Sequence, residues 1–456
     1  MLKPTIFREY DIRGIADSEL LDDGITDLGR AIGTALKRRG AARFSIGRDC
    51  RLSSPRLHRA LLKGLLSTGL EISDLGVVPT PLLYYSVFHL KLDGGVMITG
   101  SHNPADYNGF KIMAEGSTIH GEEIQHLREL IDAQDFETGE GSVRPIDIVA
   151  PYVDEIAAQF DLKRRIKVVF DAGNGTAGPV MHRLAEKLNI DPVELFFEMD
   201  GRFPNHHPDP TVPANLRHLI DAVGEHKAPL GIAFDGDSDR IGAVDELGNV
   251  VYGDQLMIIY AREILSRKPG AAVIGEVKCS QCMYDDIRKH GGNAIMWKTG
   301  HSLIKAKMKE EHAELAGEMS GHMFFGDRYY GFDDALYAAC RLIEIVARSG
   351  GPLSYQLAGL PKTVSTPELR IECSDETKFE VVRKVRNHFA PLYETLDVDG
   401  ARINFPEGWG LVRASNTQPV LVMRFEATTP ELLQAYRTEV ENAVQSASGA
   451  ELQLTH

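Results

Sequence analysis

Cysteine is scarce in this chain: Cys50, Cys279, Cys282, Cys340 and Cys373 are its five thiols in 456 residues. So few, and an odd number, argue for a reducing compartment rather than a disulfide framework. Cys279 and Cys282 form a single C-x-x-C, but no second pair completes a zinc site, so plain thiols near a helix start are expected. Long apolar runs are missing too, and none approaches the ~20 residues that span a bilayer. The opening residues, Met1 to Tyr10, hold no apolar stretch of the kind that marks a secretory signal. The expected location is cytoplasmic. Low-complexity tracts and repeats with a period of roughly 20–50 residues are absent, which excludes solenoids.

Positive charge is in deficit. Fifty Lys and Arg face 65 Asp and Glu, a formal charge of −15. Such a surface repels nucleic acid and anionic membranes, so neither is an expected partner. It repels phosphorylated small molecules as well. A phosphate site on this chain must therefore gather its own arginines, lysines and backbone amides.

What remains is a globular composition, 43% apolar and 25% charged. The length suits about three domains, with two or four also open, at roughly 150 residues each. A strand, loop, helix, strand pattern recurs three times. Its first copy has strands at 44–47 and 71–78 around a helix at 55–67. The second has strands at 166–170, 193–197 and 230–234, with a helix at 177–188. The third has strands at 272–277 and 294–297 around a helix at 281–289. Short continuous apolar strands alternating with helices predict α/β layers with largely parallel sheets. The tail reads differently, with strands at 370–372 and 420–425 and helices at 376–389 and 430–445, as in an α+β unit. Four domains are expected at 1–147, 148–249, 250–361 and 362–456.

Four polar segments carry candidate chemistry, one in each unit. Thr99-Gly100-Ser101-His102-Asn103-Pro104 follows an apolar strand and is expected to expose its serine beside amides that can hold an anion. Taken alone, a turn serine or a helix N-cap is the commoner reading. Asp235-Gly236-Asp237-Ser238-Asp239-Arg240 places three carboxylates at alternate positions. Carboxylates so close need a cation, and oxygen-only ligands suit Mg²⁺, Mn²⁺ or Ca²⁺. The spacing nearly fits an EF-hand loop, but Arg240 stands where that loop needs glycine and a strand leads in. A solvated acidic loop is the plainer alternative. Gly317-Glu318-Met319-Ser320-Gly321-His322 would set Glu318, Ser320 and His322 on one side of an extended loop, able to read vicinal hydroxyls. A polar loop with purely structural bonds is the rival there. Arg413-Ala414-Ser415-Asn416-Thr417-Gln418-Pro419 has the donors of a phosphate cradle, without the Gly-Lys-Ser/Thr ending of a P-loop; a surface turn is equally open.

One further pattern competes. Gly173-Asn174-Gly175-Thr176-Ala177-Gly178 matches the dinucleotide fingerprint G-x-G-x-x-G, with Glu194 and Glu198 some twenty residues on. A tight, closely packed strand-to-helix turn accounts for it more simply. A dehydrogenase built on it, or a phosphomonoesterase using the serine and aspartates, would leave at least two of the four segments unexplained.

In order and approximate spacing, the four segments resemble the α-D-phosphohexomutase family over essentially the whole chain. That resemblance implies three related α/β domains and a C-terminal α+β domain around a central cleft. It implies that Ser101 is the phosphorylated serine, that Asp235, Asp237 and Asp239 bind Mg²⁺ together with a phosphoserine oxygen, and that Glu318, Ser320 and His322 read the sugar. It makes Arg413, Ser415, Asn416 and Thr417 a distal phosphate clamp, and brings in Tyr10, Arg13, Lys111, Arg240, Lys278 and His301. His102, Lys111 and His301 are the candidates for moving the hydroxyl proton. Gly100 stands where alanine is also common, with no expected consequence. Met319 stands where phosphoglucosamine mutases carry glutamine, which favours mannose and glucose phosphates. The expected activity exchanges hexose 1- and 6-phosphates, with a hexose 1,6-bisphosphate as intermediate and activator. The expected partner is a small phosphosugar, and the expected state a monomer or weak dimer.

Overall fold

The computed structural model describes residues 2–416 and 418–449, and the backbone of 454–455. The first sheet has the strand order Ile12–Ile15, Tyr107–Ala114, Gly94–Ile98, Arg43–Arg48, Glu71–Val77, Ser142–Pro145. Its middle strands are parallel, while Gly94–Ile98 and Tyr107–Ala114 run antiparallel, Met97 facing Lys111. The second sheet repeats the plan, with Lys167–Asp171 parallel to its neighbours and Leu230–Phe234 antiparallel to Ile241–Asp245. In the third, Ala272–Glu276 lies parallel to Asn293–Trp297 and Leu315–Gly317, and Met323–Phe325 folds back on the latter. The fourth is wholly antiparallel, built around Gly408–Ala414 and Val420–Ala427 and covered by the helices Lys378–Phe389 and Pro430–Ser448. Three mixed α/β units and an α+β unit follow, as the apolar patterning implies.

One regularity positions everything below. In each sheet the candidate segment is the connection between two antiparallel strands: 99–106, 235–240, 318–322 and 415–419. A hairpin end has backbone groups that the ladder does not use, so it is where a sheet can present donors and acceptors.

Several boundaries differ from the sequence reading by one to three residues, the helix expected at 430–445 running to Ser448 and the strand expected at 420–425 to Ala427, and two of the differences have a visible cause. The strand expected at 193–197 is Asp191–Leu195, because Phe196 turns into the left-handed region at φ +54° and takes the chain off the sheet. The helix expected from 376 starts at Lys378, since a turn closed by Thr377 N on Ser374 O at 3.1 Å precedes it. Ser280 caps the helix Gln281–Lys289 by accepting from Cys282 N at 3.1 Å, so the C-x-x-C straddles a helix start.

A continuous apolar cluster that includes Tyr84, Phe170, Tyr260 and Tyr337 runs through the first three units. Burying such a ring contributes about 2–3 kcal/mol, so these units are tied together by packing. Separate clusters lie behind the first sheet, around Phe44 and Leu61, and inside the fourth unit, around Phe389 and Phe425. Trp409 packs with Val277 and Leu411 where the third and fourth units meet. The buried Arg402 lies 3.8 Å over its ring and donates to Val277 O at 2.5 Å and Cys279 O at 2.9 Å. Among the described residues, no helix is long and apolar enough to cross a membrane.

Candidate active site

The first and second hairpin ends meet directly. Ser101 sits at φ +49° and donates from Oγ to Asp235 Oδ2 at 2.7 Å, with His102 Nδ1 at 3.1 Å. The serine is 2% exposed, which corrects the expectation of an exposed hydroxyl. The acidic loop of the second unit covers it, and a cover from another domain leaves no mark in the local sequence. A Cβ on Gly236 would stand 2.5 Å from Ser101 O, so only glycine lets the two loops approach this closely.

Asp235, Asp237 and Asp239 are each at most 1% exposed, and their ligand atoms lie within 4.8 Å of one another. Asp235 Oδ1 accepts from the amides of Asp239 and Arg240 at 3.1 and 3.2 Å. Thr80 Oγ1 and Lys111 Nζ donate to Asp237 Oδ2 at 2.6 and 2.8 Å, and Lys111 also bonds Asp239. Asp237 Oδ1 and Asp239 Oδ1 are buried with no partner. Unsatisfied buried carboxylate oxygens beside a single ammonium are costly unless a cation joins them, and an all-oxygen set fits a hard divalent ion. Burial, then Asp239 and Asp237, push the Asp235 carboxyl far up. Burial opposes charge on Asp237 too, but Lys111 overrides it and holds that carboxyl well below the usual range. The Lys111 ammonium pays the same desolvation, outweighed by Asp237 and Asp239, and stays charged.

Arg240 reaches from the acidic loop to the third unit. Its Nε donates to His322 Nε2 at 3.0 Å, and the His322 Nδ1 lies 3.1 Å from Asp333 Oδ2. Lys305 donates to the other Asp333 oxygen at 3.0 Å. A guanidinium can only donate, so Nε2 is the acceptor of the Arg240 bond, while Nδ1 and Asp333 Oδ2, though close, are not aligned for a hydrogen bond and are both buried without a partner. Asp239, His322 and Asp333 make a second close group of ligand-type atoms. Glu318 Oε1 accepts from Gly300 N at 2.7 Å, and Ser320 Oγ reaches Glu318 Oε2 at 3.3 Å. The segment is not the extended loop expected. Gly321 N bonds Glu318 O and Glu318 N bonds His322 O, both at 3.0 Å, so a tight turn between paired strands brings Glu318 and His322 together.

The remaining residues lie toward the fourth unit. Tyr10 OH donates to Thr299 O at 3.1 Å and accepts from Asn416 Nδ2 at 2.8 Å, linking first, third and fourth units. Burial raises its pKa to about 12. The His301 ring stacks on His322 at 5.7 Å and meets Tyr10 edge-on at 6.1 Å. Burial and Lys305 push His301 below the ordinary histidine range, and burial with Arg240 does the same for His102. Arg413 donates from Nε to Asp399 Oδ2 at 3.0 Å, and Lys278 Nζ donates to Glu368 Oε2 at 3.0 Å. Both cations are thus held by carboxylates rather than free. Ser415 Oγ accepts from Gln418 N at 3.2 Å, and Arg13 donates to Asp11 at 2.5 Å. Thr417 lies outside the described residues. Thr80, Lys305, Asp333 and Asp399 escaped the sequence reading, since each stands outside the four segments.

A hydroxyl seated on a buried carboxylate–lysine cluster, opposite a polar turn and a basic one, defines with this fold a multidomain α/β enzyme of phosphoryl transfer. The four domain models of phosphoglucomutase/phosphomannomutase match in order: alpha/beta/alpha domain I at 4–138, II at 150–248, III at 252–364 and the C-terminal domain at 368–443. The chain belongs to that family, the α-D-phosphohexomutases. It is 46% identical over 451 residues to the phosphomannomutase/phosphoglucomutase of Pseudomonas aeruginosa, covering 98% of this chain and 97% of that one. A phosphoglucomutase of Neisseria gonorrhoeae is 45% identical over 446 residues, 97% of each chain. The crystal structure of a family protein from Burkholderia thailandensis superposes with a TM-score of 0.94 at 44% identity, covering 99% of this chain and all of the other.

Proposed function

We propose that this protein interconverts hexose 1-phosphates and hexose 6-phosphates of mannose, glucose or both, through a phosphorylated Ser101 and a hexose 1,6-bisphosphate. The observation that carries this reading is the bond from Ser101 Oγ to Asp235 beside the Lys111-bridged aspartates. Both relatives of known name support the choice of substrate, as does Met319.

Asp235, Asp237 and Asp239, with an oxygen of phosphorylated Ser101, would hold Mg²⁺, which when bound neutralises charge on the transferred phosphoryl oxygens. Lys111 supplies fixed positive charge to the same carboxylates. In the first transfer the P–O bond to Ser101 Oγ breaks as a bond to sugar O6 (or O1) forms, and the sugar hydroxyl's proton ends on Ser101 Oγ. His102 Nδ1, in contact with that oxygen, is placed to hand the proton across. The bisphosphate then turns end for end and its original phosphate returns to Ser101, reversing the same bonds. Glu318, Ser320 and His322 hold the ring in either pose, and the Arg413–Ser415–Asn416 turn grips the phosphate that is not reacting, with Tyr10, Arg13, Lys278 and His301 lining the space between. An added hexose 1,6-bisphosphate serves as activator by recharging the serine. Residues 1–147, 148–249, 250–361 and 362–456 make the four domains. The protein works in the cytoplasm as a monomer or weak dimer, without nucleic acid or membrane.

The test is incubation with glucose 1,6-bisphosphate, intact mass before and after, and peptide mapping, with Ser101→Ala in parallel. One phosphoryl group on Ser101 and near-total loss of turnover in the variant are expected. Near-normal turnover in Ser101→Ala would remove the serine from the mechanism, and steady release of inorganic phosphate would make the enzyme a phosphomonoesterase.

A further inference from the structure

Behind Ser101 lies a cation that the reaction scheme does not use. Arg51 follows the strand Arg43–Arg48, and its side chain is wholly buried. One terminal nitrogen donates to Ser101 O at 2.8 Å and Asn103 O at 2.6 Å. The other donates to Pro104 O at 2.5 Å and Tyr107 O at 3.0 Å. Nε faces Asp49 Oδ2 at 3.3 Å, and that same oxygen accepts from Gly100 N at 3.0 Å. The guanidinium carbon lies 5.1 Å from the ring centroid of Phe203, which belongs to the second unit.

Four backbone carbonyls, three of the loop and one from the first residue of the strand that follows, thus converge on one guanidinium. Their dipoles repel one another, and without the cation Ser101 O would be a buried acceptor with no partner, while Pro104 O would keep only the Tyr107 amide at 3.0 Å. Because a peptide is planar and trans, aiming Ser101 O at Arg51 makes the His102 amide point the opposite way. The same anchoring over-determines the left-handed backbone of Ser101, a conformation that a serine does not favour. Gly100 is part of the seat: a Cβ there would stand 2.5 Å from the guanidinium carbon, so its glycine has a consequence after all. The Phe203 contact extends the control across the domain boundary, since the segment bearing it lies on residues 50–52, a Cβ on Gly201 meeting Cys50 O at 2.4 Å.

Resting on the reading of Ser101 as phosphoryl carrier, we infer that Arg51 is a positioning residue for the reaction: it sets the serine loop so that Oγ meets Asp235, and through Phe203 it registers that loop against the unit bearing the acidic cluster. It touches neither substrate nor phosphoryl group. Lysine cannot replace it, because a single ammonium lacks the planar fork that spans four acceptors.

The experiment compares wild type, Arg51→Lys and Arg51→Gln by thermal midpoint, by kcat and KM, and by the rate at which glucose 1,6-bisphosphate labels Ser101. Both variants should lose about tenfold to a hundredfold in kcat with KM within about threefold, and labelling should slow in parallel. Arg51→Lys that melts lower yet labels and turns over at the wild-type rate would overturn the inference, as would a change confined to KM. If the arginine variants do not fold, Phe203→Ala carries the test, because all four carbonyl bonds remain. A loss of about threefold to tenfold in kcat and labelling at constant KM supports the inference, and unchanged labelling overturns it. Failure of the wild type itself to take label would instead strike the carrier reading beneath it.

Discussion

Replacing Lys111 by methionine keeps most of the side chain's length and deletes the ammonium bonded to Asp237 and Asp239. Deleting one member of a buried ion pair costs about 3–5 kcal/mol, because the other is left charged and dry. Protonation gives an independent bound. An orphaned carboxyl can escape by taking up a proton, and at pH 7 a group of ordinary pKa 3.8 does so at about 1.4 kcal/mol for each of roughly three pH units, about 4 kcal/mol in all. The two routes agree, and the loss is a large share of the ~5–15 kcal/mol that holds a domain together. A divalent cation at a hundredfold excess over its dissociation constant returns about 2.7 kcal/mol. Urea unfolding followed by circular dichroism should therefore show Lys111→Met weakened by about 3–5 kcal/mol in EDTA, with a larger stabilisation by Mg²⁺ than the wild type shows. A loss under about 1 kcal/mol in EDTA would refute the charge balance argued for the cluster.

Gly175→Ala would put a Cβ 2.6 Å from Gly236 O, so a loss of about 1–3 kcal/mol and a smaller Mg²⁺-induced rise in thermal midpoint are expected; an unchanged rise would be evidence against the packing argument. Arg413→Ala should raise KM for the sugar phosphate about tenfold or more and let bisphosphate escape into solution, while unaltered kinetics would take the residue out of the clamp. Burial opposes charge on His206, but its bond to Asp171 at 3.0 Å outweighs this and raises its pKa. A raised histidine pKa gives stability that is complete below about pH 6.5 and fades as pH climbs through the folded value. The stability gap between wild type and His206→Gln should thus shrink from pH 5.5 to pH 8.5, and a gap that widens would contradict the sign.

Residues that act through their own short segment were open to reading from sequence. The acidic alternation at Asp235, Asp237 and Asp239 and the polar turn at 318–322 announce themselves because hairpin ends concentrate unusual residues in few positions. Their geometry was less open: alternation suggested an extended loop where a tight turn does the converging, and nothing beside Ser101 foretold its burial under another domain. Arg51, Thr80, Lys305 and Asp333 reach the site from helices and connections whose local patterns are ordinary. Such residues are visible only when the partners they satisfy are in place. The fingerprint at 173–178 was legible as a tight turn, though not its load: Gly175 backs the acidic loop itself.

That glycine turn sits in a stack three backbones deep. Gly175 presses on Gly236, and Gly236 presses on the Ser101 carbonyl, with no side chain between the layers to act as a cushion. A wall laid this way cannot close by a further fraction of an ångström without collision, which sets the spacing between the serine loop and the acidic cage. Across the gap, a hydrogen bond of 2.8 Å from Asn416 to Tyr10 ties the fourth unit to the first, and water can replace it at little expense. On the proposed mechanism, the rotation of a two-headed reactant falls to the guest and to that looser side rather than to the masonry around Ser101.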